Sequence, residues 1–234
     1  MKDEMLGKLP RVTEFKNGKT VETVSDWEER RKEIIENTIA LEYGGMPPEP
    51  ERFCVEPLDI RPAGAVSAYR IHCGTKESDF TFCFTVHRCV GNRVSPVIIT
   101  GDAIYTQNMN DEVIAEANRR GFTVVKFNRT ELAPDFRDDK REYGINALWK
   151  DLKFSAISAW AWGYQRVVDA LFTLDYIDKD NIAVTGHSRG GKTVLLAGAL
   201  DERIKFVNPN GSGCHGCGCY RYIQYNENKI YQDE

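Results

Sequence analysis

Ile182-Ala183-Val184-Thr185-Gly186-His187-Ser188-Arg189-Gly190-Gly191-Lys192-Thr193-Val194 is the stretch on which the reading of this chain turns. Ile182–Thr185 is a short run containing β-branched residues and predicts a buried strand, and the largely apolar run Arg189–Leu200 predicts a helix. Between them, Gly186-His187-Ser188-Arg189-Gly190 matches G-x-S-x-G. The bare pattern is common, but its position between a strand and a helix is the context that gives it meaning. A sharp strand-to-helix turn strains the serine backbone, so the residues packed around it must lack bulk. Gly186 and Gly190 meet that need, and Gly191 adds room. Such a turn lifts the Ser188 hydroxyl above the sheet at a helix N-terminus. There the Arg189 backbone N–H and the helix dipole both favour negative charge developing on a nearby oxygen. The pattern points to Ser188 as a nucleophile. In the plainer alternative, Ser188 only caps the helix of a tight turn; the matching context favours the nucleophile.

Outward from this turn, Ile204–Val207 reads as the next strand. Upstream, Ser155 opens a helix with Ile157, Trp160, Ala161, Tyr164, Val168 and Leu171 on one face. Before it come a strand at Val97–Thr100, a helix at Asp111–Arg120 closed by Gly121, and a strand at Phe122–Phe127. The polar, irregular segment from Asn128 to Lys153 is long enough to be a functional loop. Strands alternating with helices predict a parallel sheet covered on both faces. Three earlier β-like runs, Phe53–Ile60, Val66–Cys73 and Phe80–His87, follow one another directly and predict an antiparallel start. Ser25 to Glu28 reads as a capping box opening a helix to about Tyr43, stopped by Gly44-Gly45 and followed by the extended linker Met46–Pro50. The expected fold is α/β: the three-layer sandwich of an α/β-hydrolase, its sheet mostly parallel with antiparallel strands on the N-terminal side. Residues 1–234 read as one domain, with 1–50 a helix and linker and 51–234 the sheet-forming core.

The chain has 234 residues, 41% hydrophobic and 28% charged, with a net charge of −4. That is an ordinary globular composition, and its interspersed signs favour neither nucleic acid nor an anionic membrane surface as partner. No apolar run reaches the roughly 18 residues of a spanning helix. Met1–Phe15 has no apolar core of a secretory signal, so the protein is expected to be cytoplasmic, or secreted if a signal has been removed. Seven cysteines, an odd number scattered along the chain, read as reduced thiols. Cys214-His215-Gly216-Cys217-Gly218-Cys219 lacks the second, distant ligand pair of a zinc signature and reads as a glycine-rich loop, so neither metal nor cofactor is expected. Nothing in the sequence specifies an oligomeric state.

Several blocks resemble the glucuronoyl esterases, a carbohydrate-esterase family. They are Ala159-Trp160-Ala161-Trp162-Gly163 with Arg166 and Asp169, Val184 to Lys192, Gly198 to Ile204, and the glycine-rich loop ending at Tyr220-Arg221. Trp27 to Arg31 and Tyr43 to Pro47 are similar to that family's leading helix. The resemblance implies cleavage of esters joining 4-O-methyl-glucuronic acid on xylan to lignin alcohols. It implies Ser188 as nucleophile, Arg189 as an oxyanion-hole residue through side chain and backbone, and Lys192 as a contact to sugar hydroxyls. The chemistry agrees, because an ammonium offers three donors to oxygen. A surface ion pair is the alternative role for Lys192. The chain departs from the family twice. Its frequent acid position corresponds to Gly211, which cannot orient a histidine, and His187 replaces a cysteine often found beside the serine.

In this fold the triad runs serine, acid, histidine. His72 and His87 precede Ser188 in expected strands, and the His187 side chain should point away from its neighbour. His215 lies in the first loop after the following strand, earlier than the family's histidine. The chain is therefore expected to be C-terminally truncated, nearly inactive alone, and prone to associate through an exposed sheet edge. The competing enzymes are an acetyl-esterase or a serine peptidase on the same scaffold. The competing non-enzyme is a carbohydrate-binding protein with a dead hydrolase fold.

Overall fold

The structure, a computed structural model, describes residues 10–91, 94–105, 109–135, 142–214 and 216–218. The first helix, α1, spans Val24–Tyr43 and is capped by Thr23 rather than by Ser25. Thr23 Oγ1 accepts the Asp26 N–H at 3.1 Å, and Asp26 Oδ2 accepts the Thr23 N–H at 3.0 Å. The capping box thus begins two residues before the expected Ser25–Glu28, because an aspartate at the third helical position reaches back as a glutamate would. Lys19, followed by the Thr23 hydroxyl, holds the Asp26 carboxyl well below the usual carboxylate range. Gly44 ends α1 at φ +69°, and a Cβ there would fall 2.2 Å from the Lys153 carbonyl oxygen. Only glycine satisfies both the left-handed backbone and the close approach.

Seven strands form one sheet: β1 (Arg52–Asp59), β2 (Val66–Gly74), β3 (Asp79–His87), β4 (Ser95–Thr100), β5 (Thr123–Phe127), β6 (Ile177–His187) and β7 (Ile204–Asn210). Their order across the sheet is β1-β2-β3-β5-β4-β6-β7. The pairs β1/β2, β2/β3 and β3/β5 are antiparallel, whereas β5/β4, β4/β6 and β6/β7 are parallel. Hence β2, β4, β5, β6 and β7 run one way and β1 and β3 the other, the mostly parallel sheet with an antiparallel N-terminal side that the patterning predicts. β6 extends back to Ile177, which pairs with Ser95 before a register shift. The polar Asp178–Asn181 segment masks this extension in the sequence. There Asp178 accepts the Asp180 N–H at 3.1 Å and the Asn181 amide at 2.8 Å.

The helices α2 (Asp111–Arg119), α3 (Ala156–Leu171) and α4 (Arg189–Leu200) complete the layers. Val97, Ile99, Val125, Phe127, Ile182 and Val184 join the main core with α3 and α4, while Val124 packs with Met109 and Ile114 of the α2 side. Consecutive strand residues thus face opposite layers, as the period of two demands. The two faces are covered unequally, for an apolar groove of about 530 Å³ follows Ile98, Phe122, Ala183 and Phe206. α3 is buried on nearly all sides rather than on one stripe. Its indoles still find acceptors, Trp160 at the Ala133 carbonyl and Trp162 at the Pro48 carbonyl, both at 2.8 Å. Tyr43 O accepts the Ser155 N–H at 2.8 Å, which docks α1 against the start of α3. Among the described residues, no helix is long and apolar enough to cross a membrane.

The described cysteines form no disulfide; Cys54, Cys83 and Cys217 are exposed and Cys73, Cys89 and Cys214 buried. Burial pushes the Cys73 thiol up to about 12. The thiolate is the reactive species, so alkylation at neutral pH is expected at Cys54, Cys83 and Cys217 well before Cys73. Peptide mapping after brief iodoacetamide treatment checks this; early labelling of Cys73 would contradict the packing of β2.

Candidate active site

Ser188 stands between β6 and α4 at φ +54°, ψ −117°, the one described non-glycine residue with a positive φ. Its N–H donates to the Asn210 carbonyl at 2.9 Å, and its own carbonyl accepts the Lys192 N–H at 3.1 Å. Backbone bonds on both sides therefore hold the strained turn. A Cβ on Gly186 would lie 2.4 Å from the Gly190 carbonyl oxygen, so the turn closes only with glycine there. The Ser188 side chain makes no capping hydrogen bond to α4, and the residue is exposed. The geometry therefore disfavours the alternative in which this serine merely caps the helix.

Ser188 opens onto a cleft of about 240 Å³ lined with Arg189, His187, Asp102, Tyr105, Arg129 and Asp135. Asp102 follows β4, Arg129 follows β5, and His187-Ser188 ends β6, so the C-terminal ends of three adjacent parallel strands deliver these groups. The chain winds from β4 to β5 on one side and crosses back to β6 on the other. The cleft thus sits at a topological switch point, where open α/β sheets bind ligands. Tyr164 from α3 braces the floor: its hydroxyl accepts the Gly101 N–H at 2.6 Å and donates to the Thr185 carbonyl at 3.0 Å. That one phenol ties the ends of β4 and β6 together.

A charged network forms the cleft wall. Asp102 Oδ2 accepts the His187 backbone N–H at 2.8 Å, and Asp102 Oδ1 accepts Arg129 Nε at 2.8 Å. Arg129 Nη1 donates to Asp135 Oδ2 at 3.1 Å, and the Tyr105 hydroxyl donates to the same oxygen at 2.9 Å. Arg189 Nη1 lies 3.0 Å from Asp135 Oδ1. The Arg129 guanidinium also sits over the Trp160 ring at 4.2 Å and the Tyr105 ring at 5.0 Å. Burial raises the Asp102 carboxyl above its usual range, with Arg129 the largest opposing influence. Burial and the bond to Asp135 raise the Tyr105 phenol, which keeps it a proton donor. Two carboxylates against two guanidiniums leave the wall near neutral.

Of the residues singled out in the sequence, Ser188 and Arg189 meet at the cleft mouth. Lys192 is buried, 3% exposed, rather than on the surface, and it is not among the residues that line the cleft. His187 lines the cleft wall, and a Cβ on Gly211 would come within 3.3 Å of its ring. The ring thus fills the space beside Gly211. His72 bonds Glu56 at 2.7 Å on β2, and His87 lies in β3, so neither reaches Ser188. His215, Cys219, Tyr220 and Arg221 lie outside the described residues. Arg166, Asp169, Asp201 and Arg203 belong to scaffolding: Arg203 bridges Asp169 and Asp201 at 2.7 Å each, and Arg166 pairs with Asp169 at 2.6 Å. Asp102, Tyr105, Arg129 and Asp135 escaped the sequence reading, although each follows a strand or lies near the start of the irregular segment after β5. Those positions after strand ends are the signal by which they could have been found.

Comparisons agree with this architecture. A family model described as glucuronyl esterase of fungi matches residues 71–234. The 4-O-methyl-glucuronoyl methylesterase of Podospora anserina is 30% identical over 219 residues, covering 92% of this chain and 43% of that protein. The 4-O-methyl-glucuronoyl methylesterase 1 of Wolfiporia cocos is 28% identical, covering 94% and 53%. The chain thus spans about half the length of these curated relatives. Among solved structures, a carbohydrate esterase family 15 glucuronoyl esterase from Caldicellulosiruptor kristjansonii superposes with a TM-score of 0.77 at 29% identity, covering 94% of this chain and 61% of that one. A serine-to-alanine mutant of a glucuronoyl esterase from Sporotrichum thermophile, in complex with methyl 4-O-methyl-β-D-glucopyranuronate, gives 0.75 at 26% identity, covering 96% and 57%.

Proposed function

The chain belongs to the glucuronoyl esterase family, and on that footing we propose that it carries the nucleophile half of a serine esterase acting on uronic-acid esters. The observation that carries this reading is Ser188, held at φ +54° and exposed at the end of β6 beside Arg189. Ser188 Oγ attacks the ester carbonyl carbon, its proton passing to a base from outside the described residues. The carbonyl oxygen becomes an oxyanion beside the Arg189 N–H and guanidinium, at the positive end of α4. Collapse expels the alcohol, which takes up the proton, and water then cleaves the acyl-serine ester. The resemblance alone supports Lys192 as a contact to the sugar hydroxyls. The relative crystallised with a methyl uronate supports a uronic ester over an acetyl ester or a peptide.

The test compares a benzyl glucuronate ester, an acetyl ester and a peptide, with fluorophosphonate labelling mapped by mass spectrometry. Labelling at Ser188 and at least about tenfold preference for the uronate ester are expected. A full-length protein that neither labels at Ser188 nor turns over any of the three substrates would be the non-catalytic alternative.

A further inference from the structure

We propose that Asp135 is a positioning residue that holds the Arg189 guanidinium over the nucleophile, an inference that rests on the reading of Arg189 as an oxyanion donor. The Asp135 side chain is 8% exposed, whereas that of Arg189 is 45% exposed. A half-exposed arginine has many rotamers, and fixing it for catalysis requires an anchor. Asp135 has the features of one. Its Oδ2 is already committed to Tyr105 at 2.9 Å and Arg129 at 3.1 Å, which fixes the carboxylate plane. Its buried Oδ1 has no aligned hydrogen bond and lies 3.0 Å from Arg189 Nη1. The anchor is itself anchored, because Arg129 is clamped between Asp102 and Asp135 and stacked on Trp160.

This chain of contacts has a consequence for the turn. Asp102 holds the backbone N–H of His187, the residue before the nucleophile, and Asp135 faces the side chain of Arg189, the residue after it. Arg129 joins the two carboxylates through its two donor edges, a geometry that a planar guanidinium provides and an ammonium does not. The nucleophile backbone and the oxyanion-stabilising cation are thereby referenced to one rigid buried group. A carboxylate beside Arg189 also draws some positive potential from the oxyanion, so its contribution is placement rather than added charge.

The experiment is a double-mutant cycle on the protein, with Asp135→Asn, Arg189→Ala and both. The asparagine keeps an oxygen for Tyr105 and Arg129 but loses the charge facing Arg189. Asp135→Asn is expected to lower kcat about tenfold to a hundredfold with KM changed less than about threefold, short of the loss from deleting an oxyanion donor outright. In the Arg189→Ala background the same substitution is expected to change kcat less than about twofold. An equal loss in both backgrounds would overturn the inference, since Asp135 would then act independently of Arg189. The second measurement is ¹⁵N relaxation of the Arg189 Nε, which needs no turnover. Restricted motion in the unsubstituted protein, released by Asp135→Asn, is expected; an Arg189 as mobile as the exposed Arg11 in both would overturn the inference. If the unsubstituted full-length protein hydrolyses nothing, the proposed activity fails, and the relaxation data still decide whether Asp135 holds Arg189.

Discussion

Ser188→Ala is expected to lower ester hydrolysis by about a thousandfold or more, and Ser188→Gly to do the same while making the protein more stable. The first effect follows from removing the attacking oxygen, which no neighbour replaces: Arg189 offers only donors, and the Asp102 carboxylate is committed to His187 and Arg129. The second follows from the backbone. A residue with a Cβ at φ +54°, ψ −117° carries strain on the order of 1–3 kcal/mol. Glycine relieves it, and the added freedom of glycine in the unfolded chain returns roughly 0.5–1 kcal/mol of that gain. The net is about 1 kcal/mol, or about 2–4 °C in Tm for a domain of this size. Alanine keeps the Cβ and so keeps the strain. Because Ser188 is exposed, neither substitution leaves a cavity. Calorimetry of the two variants beside the parent separates the effects. A glycine variant less stable than the alanine variant would mean that the turn is not strained, and an active alanine variant would remove Ser188 from the chemistry.

Arg129→Ala is expected to cost about 3–5 kcal/mol at pH 7, because it leaves buried carboxylates without their shared cation. The arginine side chain is 4% exposed, and those of Asp102 and Asp135 are 1% and 8%. Arg189 still faces Asp135, but Asp102 retains only the His187 N–H. The stacked contact with Trp160 is lost as well. Arg129→Lys should recover only a small part, since one ammonium cannot reproduce the Nε and Nη1 bonds to two different carboxylates.

The cost should depend on pH with a definite sign. Burial already raises the Asp102 carboxyl in the folded protein, and losing Arg129 raises it further. A carboxyl whose folded pKa exceeds its unfolded one favours folding at low pH and loses that contribution as pH rises through the folded value. The deficit of Arg129→Ala should therefore shrink in acid and grow as pH rises from the parent's Asp102 value to the variant's. Urea denaturation of both proteins across that range checks it. A deficit that widens toward acid would show that the ion pair is not what Arg129 contributes.

Much of the scaffold was legible in the residues. The antiparallel run β1 to β3 was written in β-branched and aromatic stretches separated by turn formers, and α4 matched its expected bounds. The end of α1 was readable because Gly44 has to accept a left-handed backbone. The start of α1 was misread, since Thr23 and Ser25 both precede acidic residues at capping spacing, and only the backbone geometry chooses between them. α3 looked one-sided because its residues Ser158, Gly163 and Arg166 are not apolar, yet all three are buried.

The turn at Ser188 was determined by sequence alone, because its steric demand falls on residues within a few positions of one another. Gly186, Ser188 and Gly190 are local partners, and local partners leave a pattern. Tertiary structure alone decided the company that Ser188 keeps. Asp102, the Arg129–Asp135 pair and the Ser188-Arg189 turn lie far apart along the chain, and they meet because β4, β5 and β6 end side by side. Charges become partners through distance and burial, and neither is encoded at any one position of the sequence.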